Sequence, residues 1–216
     1  MTEQVSARDL FRAAYENRYT WDQNFPGYTA DVRLTEGDKT YTGKIRINAD
    51  LSFDVSEVSD EEARKAIHGQ VWEIAVHRVR RPFEETHGQN IFSYGETDPD
   101  GAQEILVEGK AMGDRYKVRN NEVSLVHRHI HGVVVTINTF SSTQTGEGYL
   151  SRTYDSVYHD VKTGEQKGSS QFEDSYEPVG KYWILTRRLI RSTKEGQPST
   201  SEFSFLNVRM LEPATV

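Results

Sequence analysis

A chain of 216 residues without a single cysteine excludes disulfides, thiolate metal sites and cysteine nucleophiles together. Its 33 acidic against 26 basic residues leave a net charge of −7, which excludes a general attraction to phosphate backbones, so nucleic acid is not an expected partner. No stretch reaches the roughly 18 continuous apolar residues of a membrane-spanning helix, and the start Met1–Ser6 lacks the basic-then-apolar pattern of a secretory signal; a soluble protein is expected.

No composition shift or linker marks a seam, so residues 1–216 are read as a single domain. The first element is a helix from Ser6 to about Tyr19, with Ser6 as N-cap and Leu10, Phe11, Ala14 and Tyr15 on one apolar face. Alternating runs at Tyr28–Leu34 and Tyr41–Ile47, joined by the turn residues Glu36–Lys39, predict a hairpin, and Leu51–Val55 a third strand. A second helix is predicted from Ser59, where Glu62 completes a capping-box pattern, to Arg81, where Pro82 forbids continuation. Its buried stripe is Ile67, Val71, Ile74 and Ala75. The arginines Arg78, Arg80 and Arg81 suit either the negative end of the helix dipole or a binding role.

From Asn90 onward, short strands alternate with turns such as Asp98–Gly101, Asn120–Asn121, Thr145–Gly148 and Lys162–Glu165. Strands joined this locally must pair antiparallel, because parallel neighbours need long crossovers. The expected fold is therefore α+β and mainly β: a strongly curved antiparallel meander of about 10–12 strands, half-barrel or barrel, with two helices covering one face.

Val126-His127-Arg128-His129-Ile130-His131 carries three histidines at every second position of a predicted strand. Side chains two apart on a strand share a face about 7 Å apart, so the imidazoles form a row. With a regular strand the row shares its face with Leu125, Val133, Val135 and Ile137, whereas a bulge at Gly132 reverses it. Three readings follow for His127, His129 and His131: metal ligands, pocket-lining groups that orient an organic ligand, or an exposed row. Tyr149 and Trp183, among the aromatics of the late strands, are further candidates for lining a pocket, with core filling as the alternative. Arg187, Arg188 and Arg191 are read as charge protecting an edge strand, or as an anion site. No nucleophile elbow, phosphate loop, dinucleotide fingerprint or zinc-protease motif occurs, so no catalytic residue and no cofactor is assigned.

Phe83-Glu-Glu-Thr-His87-Gly88-Gln-Asn90, Gly113-Asp114-Arg115-Tyr116-Lys117-Val118-Arg119, Val126–Gly132 and Thr145–Leu150 carry a resemblance that covers nearly the whole chain. On these strings the sequence resembles a domain of unknown function found in cyanobacteria and plant plastids. The resemblance implies a photosynthetic source and a cytosolic or stromal location, and brings no activity, cofactor or catalytic residue. The order of elements is also similar to that of bacterial lipoprotein-carrier proteins, incomplete barrels with a greasy cavity under helical lids. The function expected from strand count, aromatic load and an inward-facing histidine row is a non-enzymatic carrier or chaperone, with an apolar cavity for a lipid, pigment or other hydrophobic ligand. A cofactor-free or metal-assisted isomerase or lyase using the histidine row is the alternative, and an assembly factor that binds a protein partner without a pocket is the third reading.

Overall fold

A computed structural model describes residues 5–130 and 132–212. Three helices, α1 (Ala7–Glu16), α2 (Glu61–Arg78) and α3 (Phe83–His87), accompany twelve strands. The first strands are β1 (Gly27–Glu36), β2 (Lys39–Asn48) and β3 (Phe53–Ser56). After the helices come β4 (Asn90–Thr97), β5 (Gln103–Gly109), β6 (Arg115–Arg119), β7 (Glu122–Ile130), β8 (Val133–Gln144) and β9 (Tyr149–Asp160). The chain closes with β10 (Gln166–Val179), β11 (Tyr182–Lys194) and β12 (Gln197–Met210).

The strands form one antiparallel sheet in the order β3-β2-β1-β12-β11-β10-β9-β8-β7-β6-β5-β4. A meander from β4 to β12 returns to pair β12 with β1, and each turn along it is local, as the turn chemistry requires. The sheet is open, with β3 and β4 as its two edges, so the closed-barrel form of the expectation does not occur. The central position of β11, between β10 and β12, also removes the edge-protection reading of its arginines.

Helix boundaries follow their caps. Ser6 Oγ accepts the Asp9 N–H at 3.1 Å and starts α1 where the sequence puts it, but the helix ends at Glu16, three residues early. For α2 the cap is Asp60, one residue later than expected, its Oδ1 accepting the Ala63 N–H at 2.8 Å. The helix stops at Arg78 because Val79 is already extended, and α3, a single turn after Pro82, is an element the periodicity did not reveal.

Two compact units divide the chain. The second holds Thr20–Arg80, Phe172–Arg191 and the chain from Pro198. Here α2 lays Ile67, Val71, Ile74 and Ala75 on β1–β3. Trp21 stacks on Phe25 at 4.0 Å, and Phe25 meets Tyr182 edge-on at 5.1 Å. Within this core Arg188 donates to both carboxylate oxygens of Asp174, at 2.8 and 2.6 Å, and from its other nitrogen to Gln70 Oε1 on α2 at 3.0 Å.

The first unit holds the residues up to Tyr19, Arg81–Gln171 and Ser192–Gln197. α1 packs across β4, β6 and β7, with Phe11 at the centre, stacked on Tyr116 at 4.3 Å and edge-on to Phe83 at 5.8 Å. Gly148 lets the end of α1 reach β9: a Cβ there would overlap the Asn17 carbonyl oxygen, which instead accepts the Tyr149 N–H at 3.0 Å.

His87 is buried in this core against Phe11, Tyr15 and Phe83, with Asn90 Nδ2 3.3 Å from its Nδ1. Burial, reinforced by the nearby Arg128 and Arg18 charges, lowers its pKa from 6.5 to about 4. The unfolded chain therefore takes up a proton at pH values where the folded chain does not. The stability held above pH 6.5 is lost as pH falls toward 4, by about 3 kcal/mol at about 1.4 kcal/mol per unit. Urea denaturation across this window, compared between the native chain and His87→Gln, is expected to show the smaller loss in the variant.

Candidate functional site

β7, β8 and β9 carry two faces of opposite character, set by one bulge and one turn. Opposite the steps from Tyr116 to Lys117 to Val118 stand Val126, Leu125 and Val123, so Ser124 is the extra residue in β7. Both Val123 and Val126 consequently point into the core under α1, and Leu125, His127 and His129 point the other way. At the far end Ile130 pairs with Val133 across a two-residue connection, with Gly132 at φ +82°.

The pairs that follow place His127 opposite Thr136 and His129 opposite Val134, while Val126, Arg128 and Ile130 face Ile137, Val135 and Val133. The two described histidines thus lie on the face opposite Val133, Val135 and Ile137, a difference from the regular-strand expectation that comes from the tight turn. His131 lies outside the described residues.

His127 and His129 are side by side, their rings 5.6 Å apart. His127 Nδ1 is 2.8 Å from Thr136 Oγ1, and desolvation first, then the charge of Arg115, lowers its pKa below the ordinary value. His129 is held by buried Asp114, whose Oδ1 accepts the His129 N–H at 3.0 Å and lies 3.4 Å from Nδ1. The other oxygen of Asp114 accepts Arg128 Nε at 3.2 Å. Asp114 therefore pins the end of β7 from both faces. Among the described residues no group of three histidine, aspartate or glutamate side chains is placed to hold a metal ion.

Tyr149 is not brought to this place. Tyr149 is buried, and its hydroxyl accepts the Val123 N–H at 3.0 Å. Burial raises its pKa to about 12, as befits a phenol committed to the core. Trp183 belongs to the second unit, where its carbonyl accepts the Trp21 indole N–H at 3.3 Å. A small polar depression of about 170 Å³ lies elsewhere in the first unit, lined by Arg119, Glu122, Ser124, Phe140 and their neighbours.

The opposite face is apolar. Beyond the part of β7 that α1 covers it continues as Ile130, Val133, Val135, Ile137 and Tyr158, with Val135 opposite both Arg128 and Tyr158. These side chains are only half-buried; Ile130 keeps 39% and Tyr158 38% of its surface exposed, although both belong to types that normally hide theirs. Ser156, opposite Ile137, is buried with a hydroxyl that has no hydrogen-bond partner among the described residues. Sequence reading did not single out this strip because it left open whether the valines share the histidine face. The tight Ile130–Val133 connection, with a glycine just before the β-branched run Val133–Ile137, was the signal that could have separated them.

Fold and strip together define an open twelve-stranded antiparallel sheet bearing an incompletely covered apolar face. The chain belongs to the DUF3386 family, described as protein of unknown function, whose model matches residues 2–211. No curated protein matches it. Among solved structures it is similar to a domain from Vibrio parahaemolyticus assigned as an outer membrane lipoprotein-sorting protein, with 11% identity over 95% of this chain and 94% of that one and a TM-score of 0.33. A DUF1329 family protein from Desulfovibrio piger shares 10% identity over 97% and 93% of the two chains at a TM-score of 0.30. The Pseudomonas aeruginosa MucA/MucB complex includes a chain with 10% identity over 95% and 99%, at 0.25. At these scores the backbones diverge too far for residue-by-residue correspondence.

Proposed function

We propose that this protein is a non-enzymatic binding protein or carrier, and that its hydrophobic ligand lies on the apolar strip of β7–β9. The observation that carries this is the run Ile130, Val133, Val135, Ile137 and Tyr158, only partly buried on the sheet face whose β4, β6 and β7 pack against α1. An acyl or polyene chain that removed about 200 Å² of this surface from water would gain roughly 5 kcal/mol at about 25 cal/mol per Å². Arg128, Ser156 and Asp160 are the polar residues that share this face, and the five apolar side chains suit a ligand held mainly by burial.

The test is titration with Nile red, a neutral apolar dye, followed by fluorescence. Saturable binding is expected. Val135→Glu is expected to weaken it about tenfold or more by placing an unpaired charge on the strip, whereas Val134→Glu, on the opposite face, leaves it within about twofold. Equal effects of the two substitutions, or no saturable binding, would remove the strip as the site.

A further inference from the structure

We propose that the polar depression lined by the ends of β6 and β7 and by β8 is a saccharide-binding site, with the Phe140 ring as the platform for one sugar ring; it shares no residue with the apolar strip and does not depend on a ligand there. At about 170 Å³ it has room for a single sugar ring and lies below the roughly 300 Å³ at which pockets for larger organic ligands begin. Two bulges build it. The step from the Thr139–Tyr154 pair to the Ser141–Thr153 pair makes Phe140 the extra residue of β8, as Ser124 is of β7, and both extra residues line the depression. Bulges re-aim side chains, and sheets use them beside functional sites. Phe140 is left 62% exposed, the only exposed phenylalanine among the described residues.

The rest of the lining is polar and only partly committed. Glu122 accepts Ser142 Oγ at 3.0 Å and Gln144 Nε2, both on Oε1, so that its Oε2 has no hydrogen bond among the described residues. Arg119 is held by Asp100 through Nη1 alone. Neither the Asn120 amide nor Thr139 Oγ1 has a hydrogen bond among the described residues, and both line the depression. Free donors and free acceptors thus share one small space with one bare aromatic ring. That combination selects a ligand of the same mixed character. A pyranose carries hydroxyls at its edge, each both donor and acceptor, and a face of C–H groups whose partial positive charge suits the negative face of an aromatic ring. An acyl chain would strand the polar groups, and an anion would meet the carboxylates of Glu122 and Asp100 alongside Arg119.

The experiment is an NMR titration of the full-length chain with methyl β-D-glucopyranoside, cellobiose and N-acetylglucosamine, against sorbitol, a polyol rich in hydroxyls that has no ring face. At least one of the three ring sugars is expected to bind with a Kd of about 1 mM and to shift the Phe140 ring signals, while sorbitol binds about tenfold or more weakly. Phe140→Ala removes an exposed ring and is expected to weaken sugar binding about tenfold or more, whereas Phe140→Tyr, which keeps the platform, leaves it within about twofold. Asn120→Gly keeps the left-handed backbone of the turn at φ +52° while removing the amide, and is expected to weaken binding about fivefold. Thermal melting of each variant separates loss of binding from loss of fold. Sorbitol binding as tightly as the sugars, an affinity unchanged in Phe140→Ala, or no saturable binding by any of the three sugars up to about 50 mM would overturn the assignment.

Discussion

Asp174→Ala is expected to lower the stability of the fold by about 3–5 kcal/mol, read as a shift of the urea midpoint. The carboxylate is wholly buried, its partner guanidinium is 10% exposed, and the two meet through a pair of parallel hydrogen bonds. Tyr176 donates a further hydrogen bond to the same carboxylate at 3.1 Å, and Arg188 reaches from β11 to Gln70 on α2. Removing the acid leaves a buried cation without its counter-charge, and desolvation of that cation is the larger part of the loss. A pair of this kind is not stabilising in proportion to that loss, since both charges were taken out of water to make it. Replacing both partners, as Asp174→Leu with Arg188→Met, is therefore expected to restore much of what Asp174→Ala alone removes. A double variant no more stable than the single one would show that the hydrogen bonds to Gln70 and Tyr176, and not the stranded charge, dominate.

Arg188 also shows where sequence reading reaches its limit. Alternation, turn residues and Pro82 placed β1, β2 and the meander from Asn90, because each is a property of a few consecutive residues. The order of the strands is a different kind of fact. That β12 closes against β1, and so makes β11 an interior strand, depends on a pairing between segments about 170 residues apart, and no local pattern encodes it. Arg188 looked like edge protection for that reason, and its partner Asp174 lies one strand away in a stretch with no distinguishing motif. The histidine row was left open between two faces for a narrower reason. Its spacing correctly put His127 and His129 on one face, but the face depended on whether one residue bulged in β7 and how many residues formed the turn after Ile130. A single residue of register exchanged the histidines for the valines, and with them the polar for the apolar side of the candidate site.

Phe11→Ala is the second change expected to cost about 3–5 kcal/mol, because the ring is 1% exposed and the void it leaves is walled by other rigid rings that cannot collapse inward. Tyr116, Phe83, His87 and Phe92 all lie within 5.8 Å of it, centre to centre. Phe11→Leu, which keeps most of the volume, is expected to cost about half as much. The same substitution has a second readout that a simple loss of packing energy would not produce. Burial is the first cause of the low pKa of His87, and Phe11 supplies one wall of that burial. A cavity beside the imidazole admits water, so in Phe11→Ala the His87 pKa is expected to rise from about 4 back toward 6.5, followed by the titration of its ring protons in NMR spectra. Because the folded and unfolded pKa values then approach one another, the acid sensitivity of the variant shrinks even as its stability at neutral pH falls. A variant that loses stability while His87 still titrates near 4 would mean that the arginines, and not the aromatic walls, hold the imidazole neutral.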